Sequence, residues 1–459
     1  MQTVINNFVS WQTNRAALVV RIGLGLLCLL HLAHAQTVGE IEFARGVGFS
    51  QSTGQNPRTL GKGLALQEGD RLTTAEGGLA IARLNDGTRF TIRPNSELVI
   101  QQYQFNANAN ASDNNMVMQL LRGGFRAITG LISKGSPDAA RVQTKTATIG
   151  IRGTDFDARI CTTDCKTESA RIAEKPRINT VLASAKIVSV QGGEVWVVDS
   201  SGQRRNLVEG GSIYPGDVVE TGPNAKAVLA FRDDSRMTLG ASTRFKVDSF
   251  VFDDKNPNDG KFLVSLLRGS LRALTGLIGK ANHRNVGFTT ATATIGIRGT
   301  GLDLDCPGEA ACSFFTWLGS IEVTPNGQSA LQVLQAGQGL FVSPTSIRPL
   351  SESTLNNLPR PDSVPVNVQQ LFTGGVVDDG AEGLFVFVRD GHIEIKSTND
   401  ILHLGRGETG HVGLDGTAIR PLALPRFIEF DRIPMPNAKS PMLGTVLGEM
   451  GVRSPNQCK

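Results

Sequence analysis

Aromatic side chains are scarce in this chain: they make up 6% of its 459 residues, with 3 Trp and 2 Tyr. A sugar-binding cleft floored by stacked rings is therefore poorly supplied. Only 6 His are present, and four of them, His283, His392, His403 and His411, lie beyond residue 35. The last three are irregularly spaced, which does not suit a metal site and reads as surface strand positions. Neither sign of charge dominates. The formal net charge is +4, and a dedicated nucleic-acid surface, which concentrates Lys and Arg, is not expected. Also absent are H-E-x-x-H, G-x-S-x-G and G-x-x-x-x-G-K-[ST], so no catalytic residue, cofactor site or metal site is assigned. "DDKNPNDGKF" at 253–262 places Asp254, Asn256 and Asn258 at calcium-loop spacing, but Asp259 stands where glycine is needed. It reads as a polar hairpin loop.

Long apolar runs are missing beyond the N-terminus. There, "ALVVRIGLGLLCLLHLAHA" ends in Ala33-His34-Ala35 and is broken by Arg21. It is shorter than the ~20 apolar residues of a span. Small residues at the −3 and −1 positions fit a secretory leader cleaved before Gln36. Arg15 and Arg21 are the only charges before Glu40, so cleavage leaves a formal charge of +2 and no integral membrane span. An exported chain can hold disulfides. Cys161 and Cys165, then Cys306 and Cys312, are local pairs that read as two short bridges, while Cys458 is left over.

What the chain has in abundance is glycine, 52 residues, and repetition. "TATIGIRGT" occurs at 146–154 and again, unchanged, at 292–300. "LLRGGFRAITGLISK" at 120–134 matches "LLRGSLRALTGLIGK" at 266–280 with the same offset, and "LNDGTRFTIRPNSELVI" at 84–100 aligns with "FRDDSRMTLGASTRFKV" at 231–247. Repeated order with diverged filler marks two copies of one structural unit. A partial third unit is expected from "GSIEV…LQAGQG…SIRPL" at 319–350 and its echo "GHIEI…LHLGRG…AIRPL" at 391–422.

Apolar residues alternate with polar ones, and Gly and Asp punctuate every 8–12 residues, so the chain reads as all-β. Gly269 and Gly276 divide "LLRGSLRALTGLI" into two short strands, because glycine costs ~1 kcal/mol inside a helix. The expected organisation is a leader (1–35), a first unit (36–166), a linker (167–186), a second unit (187–350), a Pro/Ser-rich linker (351–367), the partial third unit (368–423) and an extended or loosely docked tail (424–459).

Within the repeat, Ala147, Ile149 and Ile151 should face the core while Thr146, Thr148, Gly150 and Arg152 face away. Gly153 permits a turn or bulge before Thr154. Arg152 can tie strand ends through carbonyls or a carboxylate such as Asp157, with Arg298, Gly299, Thr300 and Asp303 as counterparts; alternatively each Arg contacts an anionic ligand.

Each unit resembles the FecR domain family: a "DGTR"-type turn, a glycine-bearing "LLRG" strand, then "TATIGIRGTDFD" at the place of the family's "GT.F.V" ending. The resemblance implies tandem β-rolls or short β-solenoids in the periplasm of a Gram-negative bacterium, or secreted. It also implies binding of a receptor or signal rather than catalysis. The best-known members carry a cytoplasmic helical part that controls a sigma factor, and this chain shows no such segment. The expected role is a non-enzymatic sensory or protein-binding module whose partner is an envelope protein such as a membrane receptor or signalling protein. The alternative is an envelope scaffold that binds polysaccharide.

Overall fold

A computed structural model describes residues 37–433, except 136–138, 201, 203 and 309. The expected leader, Cys458 and the tail beyond residue 433 lie outside the described residues.

The strands form two open mixed sheets of 15 strands each, with no closed barrel. The all-β expectation holds. The two sheets match strand for strand. Each begins with a strand pairing a short neighbour and a longer one: Thr37–Arg45 against Ala65–Gln67 and Leu79–Leu84, and Ala185–Gln191 against Ser212–Ile213 and Lys226–Phe231. Each then contains one parallel pair, Asn115–Ile128 with Ala140–Gln143 and Lys261–Leu274 with Val286–Thr290. The other strand pairings in the two sheets are antiparallel among the described residues, which lets short turns join most neighbours.

Turn chemistry explains much of this. In the first sheet Asp86 accepts hydrogen bonds from the Thr88 amide (3.1 Å) and hydroxyl (2.7 Å); in the second, Asp233 does the same for Ser235 at 3.1 and 2.9 Å. Such side-chain turns set the hairpins between Leu79–Leu84 and Arg89–Ile92 and their counterparts. Segment 261–274 differs from expectation. It is one strand of 14 residues, bent at Gly269 (φ +91°), and the helical turn Leu277–Ala281 follows it. A Cβ at Gly269 would lie 2.5 Å from the Thr243 Cα, so the bend needs glycine.

The motif strands, Ala147–Cys161 and Ala293–Cys306, alternate as their sequence predicts: Ile149, Ile151, Ile295 and Ile297 are buried. Each such side chain gains about 1.5–3 kcal/mol from leaving water. Phe90, Phe125 and Phe156 continue the first core as a chain of edge-to-face rings at 5.4 and 5.6 Å.

The segment read as a partial third unit does not stand apart. Strand Gly383–Ser397 pairs along its length with Ala147–Cys161, and Ile401–Gly405, Thr409–Val412 and Ala418–Ile419 follow it into the first sheet. In the second sheet Cys312–Pro325 and its followers fill the same places directly after the motif strand. The echo between 319–350 and 391–422 is thus one closing segment present in two copies. The whole second sheet lies in sequence between the motif strand of the first and that strand's closing partner.

The residues around these sheets pack closely. Leu355 and Leu358 are buried, and their carbonyls accept from the Arg272 guanidinium at 3.1 and 2.6 Å. Phe427, on the helical turn Arg426–Glu429, stacks edge-on against Phe385 at 5.2 Å beside the Cys161–Cys165 disulfide. Cys306–Cys312 is also bonded.

Candidate functional site

The repeated motif builds the same local joint twice. After Arg152 the strand bulges at Gly153 (φ +62°), and after Arg298 at Gly299 (φ +63°). The Thr154 hydroxyl donates to the His392 carbonyl at 2.8 Å, and that of Thr300 to the Ser320 carbonyl at 2.9 Å. Opposite each bulge sits another glycine. A Cβ on Gly391 would come 2.6 Å from the Gly153 carbonyl oxygen, and one on Gly319 would come 2.3 Å from that of Gly299.

The arginines do not pair with the aspartates that follow them. Arg152 reaches Glu394 at 3.3 Å and Arg298 reaches Glu322, each on the adjoining closing strand. Asp157 instead binds Arg126 at 2.6 Å and Arg389 at 2.7 Å, while Asp303 binds Arg272 at 3.0 Å and accepts from the Trp317 indole at 3.0 Å. Strand pleat accounts for the difference. Arg152 and Asp157 are separated by the bulge, whereas Glu394 lies across the ladder two residues along from Arg152's own partner His392.

The two copies part company in exposure. The Arg298 side chain is 57% exposed and that of Arg152 is 13% exposed, because the second sheet covers the first motif. Arg152 also donates to the Glu209 carbonyl at 3.4 Å across this seam. Lys134, Arg152, Arg204 and Arg205 surround a cavity of about 120 Å³ there, with Ser133 and Gly153 completing the wall on the first sheet's side. Arg205 is held by Asp217 at 3.0 Å, and Arg204 lies 4.2 Å from the centre of the Trp196 ring. Lys134 is exposed at the rim, its Cγ stacked over Gly153. Four cations lining one small recess can hold a carboxylate or another oxyanion in charge-assisted hydrogen bonds.

Deeper in the seam lies a buried ionic triad. The Lys186 ammonium donates to the His403 carbonyl at 2.8 Å and lies 3.5 Å from Glu408, which also accepts from the Arg420 Nε at 3.0 Å. All three side chains are almost fully enclosed. Loss of water pushes Lys186 down to about 8, against the pull of Glu408. Tyr214, pushed up to about 12 by burial, accepts from the Arg406 amide at 2.6 Å. His392 and His403 stack with ring centroids 5.5 Å apart. Burial holds the first well below its ordinary value and the second down to about 4, so both are neutral rings.

Those histidines correct one expectation. His392 and His411 are buried and His403 is partly so; none is a plain surface strand position. Among the described residues no group of three or more His, Cys, Asp or Glu could hold a metal. Arg420 lies in the repeated AIRPL segment, but its grouping with Lys186 and Glu408 gave no sequence signal, since the three come from segments about 220 residues apart. Among the described residues no helix is long and apolar enough to cross a membrane.

A family model described as FecR protein matches residues 70–173 and 217–322. None of the curated proteins matches the chain. Two crystal structures of a candidate anti-sigma factor from Parabacteroides distasonis ATCC 8503, at 1.65 and 2.50 Å, are similar at 16% identity, covering 29% of this chain and 59% of that one with a TM-score of 0.24. The chain therefore spans under two thirds of that protein's length, at a likeness too low to build on.

Proposed function

Starting from its two tandem FecR domains, at residues 70–173 and 217–322, we propose that the protein is a non-enzymatic binding module of envelope signalling. It acts in the periplasm, and its partner is another envelope protein, a membrane receptor or signalling protein. The observation that carries this reading is the cationic recess between the sheets, where Arg152 and Lys134 of one copy meet Arg204 and Arg205 of the other. A carboxylate-bearing segment of the partner enters there and contacts both sheets at once. Because the walls belong to different units, occupancy stabilises one relative placement of the two, which is how such a module reports binding.

In this proposal the units are the two sheets, one built from 37–161 with 383–419 and the other from 185–350. Gly153, Thr154, Asp157, Gly299, Thr300 and Asp303 are framework, and Arg152 alone among the repeat residues also meets the partner. Two further features support export: the disulfides Cys161–Cys165 and Cys306–Cys312, which persist in oxidising compartments.

The test is affinity capture from envelope extracts with the intact chain and with a Lys134→Ala/Arg152→Ala variant. One or a few envelope proteins should be retained by the first, released by raised salt, and lost from the second. Equal capture by both would remove the recess from the proposal. Absence of any specific protein, together with co-sedimentation on purified peptidoglycan, would favour the scaffold reading instead.

A further inference from the structure

Both sheets carry the same two faces, and among the described residues only one of each is covered. The opening face of the second sheet, strands Ala185–Gln191 and Ser212–Ile213, packs on the closing face of the first, around strand Ile401–Gly405 and its turn to Glu408. The counterparts are Thr37–Arg45 with Ala65–Gln67 at one end, and Gln332–Gln335 with its turn to Gln338 at the other. Register fixes the equivalences. Lys186 lies opposite Ala230 as Glu40 lies opposite Arg83, and His403 lies opposite Glu394 as Val333 lies opposite Glu322. The turns agree as well: the Glu408 carbonyl accepts from Val388 at 3.0 Å and that of Gln338 from Thr316 at 3.0 Å.

Burial then differs position by position. Leu402, Gly405 and Glu408 are buried and His403 partly so, while their equivalents Gln332, Gln335, Gln338 and Val333 are exposed. At the other end Lys186 and Ser212 are buried, whereas Ala65 is exposed and Glu40 half-exposed. The free closing face also presents apolar surface, with Val333 at 49% and Leu331 at 50% exposure.

Charge differs between the seam and the free ends. At the internal seam a cation of the opening face, Lys186, meets a carboxylate of the closing face, Glu408. At the free ends Glu40, ion-paired with Arg83 at 2.5 Å, stands in the place of Lys186 and the neutral Gln338 in that of Glu408. The free faces thus lack the buried Lys–Glu pair, and what they share with the seam is its strand register, with Val333 and Leu331 adding exposed apolar surface.

We propose that the free closing face of one molecule binds the free opening face of a second copy, repeating the internal seam between molecules. Such a contact is heterologous, so copies add head to tail. It does not depend on the recess or on any envelope partner.

Sedimentation velocity on the full chain tests this, with Val333→Arg blocking one face and Glu40→Arg the other. The intact chain should form species beyond the dimer as concentration rises. Each variant alone should be monomeric, its association weakened more than about tenfold by a charge placed in the contact. The two variants mixed in equal amounts should form a dimer and nothing larger, because each keeps one good face; that dimer also shows that both remain folded. The proposal is overturned if the intact chain is monomeric throughout, whatever covers the faces. It is equally overturned if either variant dimerises alone, or if the mixture stays monomeric.

Discussion

Glu408→Gln and Lys186→Met should have very different costs although the two side chains are partners. Glu408 serves two buried cations, Arg420 at 3.0 Å and Lys186 at 3.5 Å. Converting it to the amide leaves both without a counter-ion in an enclosed seam, a loss of about 3–5 kcal/mol for breaking a buried ionic group from one side. Removing Lys186 leaves Glu408 still bound to Arg420, and the His403 carbonyl still accepts from Arg420 at 2.8 Å. Lys186→Met keeps the volume and discards a desolvated charge, so its effect should lie within about 1 kcal/mol of zero, of either sign. Urea denaturation followed by far-ultraviolet circular dichroism measures both. Fluorescence of Trp196 and Trp317 adds a reading local to the second sheet, which holds both residues.

The pH dependence gives a second check on the same pair. Lys186 is lowered to about 8 in the folded chain, mainly by desolvation, against about 10.4 when unfolded. The cost of its charge is therefore fully present below about pH 8 and is relieved as pH rises from there toward 10.4, where the unfolded chain holds more protons. Glu408→Gln should accordingly lose part of its penalty at pH 9–10, and the Lys186→Met background should abolish that recovery. If Lys186→Met costs as much as Glu408→Gln, the ammonium is a required counter-ion and the reasoning fails.

Three further outcomes follow from the geometry. Arg152→Ala should destabilise by about 1–3 kcal/mol because its Glu394 partner is largely enclosed, while Arg298→Ala, removing an exposed pair, should cost under about 1 kcal/mol; equal losses in thermal denaturation would contradict the difference in cover. Asp155, half-buried opposite Asp390, is pushed up to about 7 by desolvation. Its cost is absent below about pH 4, grows as pH rises to about 7 and is then constant; about 4 kcal/mol if fully enclosed, it falls to about 1–2 with partial solvation. Asp155→Asn should thus stabilise at pH 8 and be neutral at pH 4 in denaturant titrations, and a gain at both values would refute the ionisation argument. Cys161–Cys165 and Cys306–Cys312 span separations of 4 and 6, so replacing either pair by serine should cost about 2 kcal/mol in urea titrations of the variant against the parent.

Much of the framework was legible because it is local. Alternation buried Ile149, Ile151, Ile295 and Ile297 as written, each Asp-x-Thr/Ser turn formed its own hydrogen bonds, and cysteines 4 and 6 residues apart found each other. A side chain's face follows from a period of two, and a turn from four residues. Gly269 bends strand 261–274 without dividing it, because a glycine within a strand can bend it as well as end it. The burial of the histidines is not legible in the sequence, because cover by a second sheet leaves no trace in their spacing.

What the sequence alone determined is that this chain contains two copies of one β unit with the same motif strand, the same turns and the same bridges. It could not determine which closing segment completes which copy, since both carry the same pattern and a long connection adds only slowly to the entropy of closure. Tertiary structure decided that, joining Arg152 to Glu394 across 242 positions and enclosing one sheet's sequence within the other's. With the sheets so placed, one copy's arginine came under cover and its twin remained in water, although the nine residues around each are identical. Packing distinguishes them because charge and burial belong to neighbours in space, and the sequence records neighbours only along the chain.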